Sequence, residues 1–355
     1  MIEEKRSIFK KLCDIINPYS WITATRNLLF DYELIKSRKF TIPTICIGNI
    51  TVGGTGKTPH TEYLIKLLKS KYRTAVLSRG YGRKSKGYIL AGHNTPAIQI
   101  GDEPYQIKKK FKDTDVAVCE KRAIGIDRIL SESKETEIIL LDDAFQHRHV
   151  KAGLNIVLID SSRPIWQDCI LPFGRMRESK YGIKRADIVI ITKCKELTVE
   201  EREACIGHIK RIKDIPVFFS GMQYGELYPL YGCCTKRITK DMDVLLVTGI
   251  AHPEPLKAEL EKRCSKVTLI KFADHHNFNE SDLKEIELQY NNLKSDNKII
   301  VTTEKDAARL IQHTDKLETI RQEIHVLPIE IEILSEKELF NKLILDYVEE
   351  NSRNR

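Results

Sequence analysis

The sequence predicts an α/β protein with a mostly parallel sheet flanked by helices, followed by a smaller second α/β unit. Three observations carry this. Short β-branched apolar runs alternate with amphipathic helical stretches, the pattern of strands joined by crossover helices. A glycine-rich loop stands between the first such strand and the first such helix. An aromatic and glycine-rich stretch without helical period, "PVFFSGMQYGELYPLYG", then interrupts the alternation before it resumes.

The elements follow in order. Phe40 to Gly48, "FTIPTICIG", reads as a buried strand. Past the loop, Tyr63, Leu64, Leu67 and Leu68 recur at helical spacing, and Pro59 suits a first helical turn. Further strands are expected at 74–78, 116–119, 137–141, 155–159 and 187–192. The second unit repeats the alternation: strand 243–248, helix 255–264, strand 267–271, helix 281–293, strand 298–302. An extended run at 326–334 and a C-terminal helix close the chain. The division expected is an N-terminal segment 1–35, a P-loop lobe 36–215, a hinge 216–238, a second lobe 239–325 and a hinge return with the last helix, 326–355. Two lobes with a cleft are the natural result.

The glycine loop is "GNITVGGTGKTPH", residues 48–60. The common phosphate-binding loop is Gly, four residues, then Gly-Lys-Ser/Thr. Here Gly56-Lys57-Thr58 is intact, but Thr51 stands where the leading glycine is usual. The strand–loop–helix context is what such a loop needs, because its backbone N–H groups and the helix N-terminus face a phosphate chain. The loop residues Thr51, Val52, Gly53, Gly54, Thr55, Gly56, Lys57 and Thr58 are the candidate nucleotide cradle. Lys57 can reach the β and γ phosphates, and Thr58 can hold Mg²⁺.

The chain has 355 residues, with 41% hydrophobic and 30% charged residues, so it can bury a core and is not disordered. Its net charge of +8 suits an anionic partner. The basic residues are dispersed and no stacking-aromatic motif accompanies them, which disfavours nucleic acid. The nine cysteines are scattered, without a CxxC pair or a secretion signal, and read as reduced cytosolic thiols with no zinc site.

No segment carries the ~20 apolar residues that span a bilayer. The N-terminus is unusual even so. Ile8, Leu12, Ile15 and Ile16 form one helical stripe, and Trp21, Ile22, Leu28 and Leu29 a second after Pro18, with Lys and Arg on both flanks. A basic amphipathic segment can lie in a membrane interface, and a helix pair docked on the protein's own core is the alternative.

Several motifs carry potential chemistry. "EIILLDDAFQHRH" delivers Asp142 and Asp143 at the end of a strand, where a carboxylate completes the Mg²⁺ shell in P-loop proteins. "GDEPYQI" places Asp102 and Glu103 on a loop before a helix, and Glu103 is a further candidate for the metal shell. "LSRGYGRKSKG" is a basic glycine loop suited to phosphate or to a solvated turn. "FADHHNF" suggests a general acid/base histidine oriented by an acid, against a bland reading of a capping Asp274 with surface histidines. "ITKCK" lacks the aspartate that reads guanine.

Taken in order, these blocks resemble one family, the tetraacyldisaccharide 4'-kinases or lipid A 4'-kinases. The resemblance is carried by "GNITVGGTGKTP", "LSRGYGRKSKG", "GDEP", "LLDDAFQHR", "LPFGRMRES", "ADIVIITK", "VTGIAHPEPL", "FADHHNF" and "TTEKDAARL", and runs from about Ile42 to Leu310. That family's loop carries Ser or Thr where Thr51 stands. The resemblance implies a two-lobed P-loop kinase with a strand-pair hinge. It implies ATP- and Mg²⁺-dependent phosphorylation of the 4'-hydroxyl of an acylated disaccharide-1-phosphate, at the cytoplasmic face of the inner membrane. It also implies an Asp–His pair in which the aspartate takes the hydroxyl proton, carried here by Asp102 and His275 rather than His276. The implied partners are the acylated lipid substrate and an anionic membrane surface, with no nucleic acid and no obligate protein partner. A departure stands at the N-terminus, where Asp14, Arg26 and Asp31 interrupt a stretch that is more apolar in many members. A P-loop kinase of a soluble metabolite and a P-loop nucleotide switch or assembly factor are the alternatives to this lipid kinase.

Overall fold

The structure is a computed structural model that describes residues 17–352, apart from 195–196, 233–235, 275, 312, 314–316 and 318. The chain divides into two compact units: residues 1–95, 107–222 and 331–355 form the first, and 96–106 with 223–330 the second.

The first unit is built on a nine-stranded sheet. Its strands are β1 Thr44–Asn49, β2 Thr74–Ser78, β3 Ile89–Leu90, β4 Asp115–Val118, β5 Ile138–Asp142, β6 Leu154–Asp160, β7 Ile188–Thr192, β8 Val217–Tyr224 and β14 Ile329–Ile333, in the order β14-β8-β7-β6-β1-β5-β2-β4-β3. The central pairs are parallel, and β3 adds antiparallel to β4 at one edge. Strands covered on both faces should be apolar throughout rather than alternating. β1, β2, β5 and β7 are buried at every position. The core they form runs through Ile42, Cys46, Leu77, Leu141, Val157 and Ile191.

The register of the two central strands positions the site. Ile47 of β1 lies level with Asp142 of β5, so the loop after β1 and the acidic pair after β5 emerge from the same edge of the sheet. Helix α1 spans Pro18–Asp31, and helix α2, Lys57–Leu68, follows the glycine loop. α2 buries Thr61, Leu64, Ile65 and Leu68, a helical stripe turned to the sheet. The expected strand from Phe40 begins only at Thr44, because Pro43 has no N–H to give to a ladder.

α1 answers the question left open at the N-terminus for the part described; the stripe at Ile8 to Ile16 lies outside the described residues. Asn17 caps the helix through the Tyr19 and Ser20 N–H groups and donates its amide to the Leu171 carbonyl. Phe30 is buried, with the Arg148 guanidinium 5.0 Å over its ring, and Arg148 ion-pairs with Asp31 at 2.6 Å. Burying such a ring stabilises docking by about 1.5–3 kcal/mol. At 100° per residue Trp21 and Leu28 point the opposite way from Phe30. They are 57% and 52% exposed, and Ile22 beside them is 67% exposed. One face docks and the other is left open.

The second unit has a five-stranded sheet of β9 Tyr228–Pro229, β10 Asp243–Thr248, β11 Lys266–Lys271, β12 Lys298–Thr303 and β13 Ile324–Leu327, in the order β11-β10-β12-β13-β9. Its four long strands are parallel and β9 is antiparallel. Successive residues of β10 serve opposite faces: Leu245 and Val247 join one core, Val244 and Leu246 the other. Helices α7 Glu254–Glu261, α8 Glu280–Asn291 and α9 Glu304–Leu310 connect the strands. The extended run expected at 326–334 is two strands broken at Pro328. β8 and β14, the two strands in which the chain passes between the units, are antiparallel: the Gly225 N–H bonds the Pro328 carbonyl, and the Leu334 N–H bonds the Phe219 carbonyl.

Residues 96–106, assigned from sequence to the P-loop segment, cluster with the second unit. They carry helix α3 Ala97–Ile100 and the start of α4 Asp102–Lys110. Asp102 and Glu103 are therefore in a first helical turn and not on a preceding loop. Two carboxylates there are stabilised by the unpaired N–H groups of that turn.

Candidate active site

Thr51 is the unusual residue of the loop, and its backbone needs no glycine. It sits in an antiparallel bridge with Met176, flanked by Val52 N–H to the Arg175 carbonyl at 2.7 Å and Arg177 N–H to the Ile50 carbonyl at 2.7 Å. A β-bridged residue tolerates a Cβ. The glycine requirement falls at Gly53 and Gly56, with φ of 108° and 87°. The Asn49 amide donates to the Thr55 hydroxyl at 2.9 Å and braces the loop from inside. A Cβ built on Gly54 would meet nothing within 4 Å, so that side of the loop is open.

Helix α2 starts at Lys57 with Gly56 as its N-cap and no side-chain cap. Its first-turn N–H groups thus open onto the loop, as anion binding requires. His60 fixes the geometry from behind. Its Nδ1 lies 2.7 Å from the Gly56 carbonyl and its Nε2 2.9 Å from the Ser220 hydroxyl. Nδ1–H donating and Nε2 accepting satisfies both contacts. Burial pushes the His60 pKa down to about 4, so the ring is neutral at ordinary pH.

The acidic pair splits into two environments. Asp142 ends β5, is buried, and accepts from the Thr61 hydroxyl at 3.2 Å. Asp143 follows at φ 47° and lies 3.6 Å from Lys57 Nζ and 3.2 Å from Arg177 Nη1. Burial alone would raise the Asp143 pKa, but Lys57, Arg177 and Arg122 outweigh it and hold the carboxyl below its ordinary range. Close by, His147 Nε2 accepts the Arg122 backbone N–H at 3.3 Å. Burial, then Arg122, His149, Arg26 and Arg79, push His147 down to about 4. The edge of the sheet beside the loop is therefore strongly electropositive around two carboxylates.

In the second unit, Asp102 is paired with Arg309, and Glu103 Oε1 lies 3.5 Å from Lys305 Nζ. His275 lies outside the described residues. Its neighbour His276 is stacked on Phe272 with centroids 4.7 Å apart, and its Nε2 is 2.7 Å from Asp282. Unit 1 brings together residues 51–58, Asp142 and Asp143; Asp102 and Glu103 belong to unit 2.

Sequence reasoning assigned no role to Arg177, Arg122, His60 or Arg309. Three of them stand in motifs already singled out, "LPFGRMRES", "GKTPH" and "TTEKDAARL", so a polar side chain inside a motif was the available signal. The basic glycine loop is largely a turn held by its own ion pair: Arg83 meets Glu120 at 2.5 Å, and Glu120 also accepts the Gly87 N–H.

Comparison with known proteins agrees with this architecture. The profile of the tetraacyldisaccharide-1-P 4'-kinases matches residues 12–349. The chain is 46% identical to a tetraacyldisaccharide 4'-kinase of Bacteroides thetaiotaomicron over 98% of its length and 96% of the relative's. It is 47% identical to one of Phocaeicola vulgatus over 95% of each. A solved structure, the "apo" form of LpxK from Aquifex aeolicus in complex with ATP, aligns with a TM-score of 0.72 at 26% identity, covering 98% of this chain and all of that one. A P-loop kinase fold whose loop, acidic pair and second α/β unit occur in this order, matched along nearly its whole length, places the chain in the tetraacyldisaccharide-1-P 4'-kinase family.

Proposed function

We propose that the protein transfers the γ-phosphoryl group of ATP to the 4'-hydroxyl of an acylated glucosamine disaccharide-1-phosphate, a step of lipid A biosynthesis. One observation carries the reading. Gly56 in a left-handed conformation opens an uncapped helix at Lys57, and Lys57 faces a carboxylate delivered by the adjacent strand.

In this reading Val52 to Thr58 cradle the triphosphate. Lys57 and Arg177 exchange their contacts with Asp143 for phosphate oxygens, and stabilise the charge that develops on the transferred group. Mg²⁺ fits the donors present. Thr58, Asp142 and Asp143 offer hard oxygens, and Mg²⁺ takes only one or two carboxylates beside water and substrate phosphates. Glu103 is a fourth candidate donor. When bound, the ion neutralises charge on the β and γ phosphates. Asp102, with His275 orienting it, accepts the proton of the 4'-hydroxyl as that oxygen bonds to phosphorus and ADP leaves.

Membrane attachment is proposed through the open face of α1, where Trp21, Ile22 and Leu28 are exposed beside basic flanks. Among the described residues no helix is long and apolar enough to cross a membrane. The protein would then work peripherally or monotopically at the cytoplasmic face of the inner membrane.

The test is incubation with radiolabelled ATP, Mg²⁺ and the acylated disaccharide-1-phosphate in mixed micelles, beside soluble sugar phosphates. Label in the lipid alone supports the reading. Label in the soluble acceptors alone makes the protein a metabolite kinase.

A further inference from the structure

We propose that Arg309 is a positioning residue for phosphoryl transfer: it holds one oxygen of Asp102 and leaves the other to take the substrate proton. The inference rests on the reading of Asp102 as the base.

All the groups concerned lie in the second unit. Arg309 stands in the last turn of α9 and is 6% exposed. Its Nε donates to Asp102 Oδ2 at 3.0 Å, and its Nη2 donates to the same oxygen. A guanidinium ordinarily engages a carboxylate as a fork, with one donor on each oxygen. Here both donors converge on Oδ2. Oδ1 accepts no bond among the described residues, and the Asp102 side chain is 26% exposed. The aspartate is thus fixed in orientation with one oxygen still available, as a proton acceptor must be.

The arginine is itself held. Its Nη1 donates to the His276 carbonyl at 3.3 Å, tying that backbone position to the arginine that holds Asp102. Behind it lies Asp306, fully buried, with Nη1 3.8 Å from Oδ1. Asp306 Oδ2 accepts from the Thr248 hydroxyl, the Gly249 N–H and the Thr303 hydroxyl. Among the described residues Oδ1 has no hydrogen-bond partner, and the guanidinium is the cation that faces it. A buried carboxylate spending three bonds on one oxygen is a rigid anchor, and it aims its other oxygen at Arg309. Two more contacts lock the same helices: Glu103 with Lys305, and the Gln106 amide with Glu304 at 3.2 Å. Asp306–Arg309–Asp102 is therefore a line of alternating charge that sets where the base points, and Arg309 is the one member touching both the base and the histidine loop.

The experiment compares Arg309→Gln, Arg309→Lys, Asp102→Asn and the double variant Asp102→Asn/Arg309→Gln in the lipid phosphorylation assay. KM for ATP and thermal unfolding are measured alongside. Misaiming a reacting group by about 1 Å costs on the order of 10²-fold. The expected result is a fall in kcat of that order for Arg309→Gln, with KM for ATP unchanged because the phosphate loop lies in the other unit. Arg309→Lys, which keeps the charge and loses the paired donors, should recover only a small part. The double variant should be no slower than Asp102→Asn, because the arginine acts only through the aspartate. Multiplied losses in the double variant, or near-normal kcat in a folded Arg309→Gln, overturn the inference while leaving Asp102 as base. If Asp102→Asn itself turns over normally, the base assignment fails, and the positioning role with it. A general folding defect would lower Tm and turnover together and would be relieved equally by lysine; the kcat loss at unchanged ATP KM, with poor rescue by lysine, separates the two.

Discussion

Lys57 Nζ lies 3.6 Å from Asp143 Oδ1, which joins the first residue of α2 to the first residue after β5. The pair exists because β1 and β5 are neighbours in register, so the glycine loop and the acidic pair leave the sheet side by side. Asp143 answers the charge of Lys57 here, and in the proposed function a phosphate oxygen takes its place.

Lys57→Ala should lower phosphoryl transfer by about 10²-fold or more, the usual loss when one transition-state donor is removed. It should also raise the Asp143 pKa, since Lys57 is the largest of the charges that depress it. A carboxyl with a depressed folded pKa contributes stability that is present above its unfolded pKa and lost as pH falls through the folded value. The variant should therefore lose part of the stability that wild type gains across the acid carboxylate range. Denaturant unfolding at a series of pH values measures it, and identical profiles would show that the pair is not coupled.

His60 supplies a second pH signature. Its folded pKa of about 4 lies below the ordinary 6.5, so between those values the unfolded chain binds more protons. Stability then rises with pH across that window, by about 1.4 kcal/mol per pH unit for one group. His60→Gln should remove that share of the slope. His147, also held near 4, keeps its own. An unchanged slope in the His60 variant would mean the ring is not buried neutral behind Gly56.

The fold was legible because strands of a parallel sheet buried on both faces read as unbroken apolar runs. β2 and β10 were placed to the residue, and most other strands to within a residue or two at each end. The place of Asp142 and Asp143 at a strand end was legible because an apolar run that ends in two acids marks where the strand leaves the core. What escaped were contacts made across long stretches of chain. Asp102 meets Arg309 from 207 residues away, and nothing in "GDEP" or "TTEKDAARL" read singly names the other. His60 was given no role from sequence, because its contacts are with the Gly56 carbonyl one turn behind it and with Ser220, 160 residues away.

Replacing Trp21 and Leu28 together with glutamate should abolish sedimentation with anionic vesicles and leave Tm unchanged. Both side chains are more than half exposed, while Phe30 and Arg148 carry the docking. Each large apolar side chain lost from an interface weakens binding by about tenfold or more. Vesicle binding equal to wild type would assign membrane contact to another surface.

Asn at Asp142 or at Asp143 should raise the Mg²⁺ concentration needed for half-maximal activity by separate amounts. Asp142 is buried against Thr61, whereas Asp143 is shared with Lys57 and Arg177. A titration of activity against Mg²⁺ decides this. Two unshifted curves would make the acidic pair an electrostatic support for Lys57 and Arg177 only.

The most direct test of the central claim is the position of the new phosphate. After turnover with ATP and the acylated disaccharide-1-phosphate, tandem mass spectrometry should find one added phosphoryl group, on the 4'-oxygen of the distal sugar. The same reaction with Lys57→Ala should leave the lipid unmodified. ATP hydrolysis without transfer, a phosphate at any other hydroxyl, or full product from the Lys57 variant would contradict it.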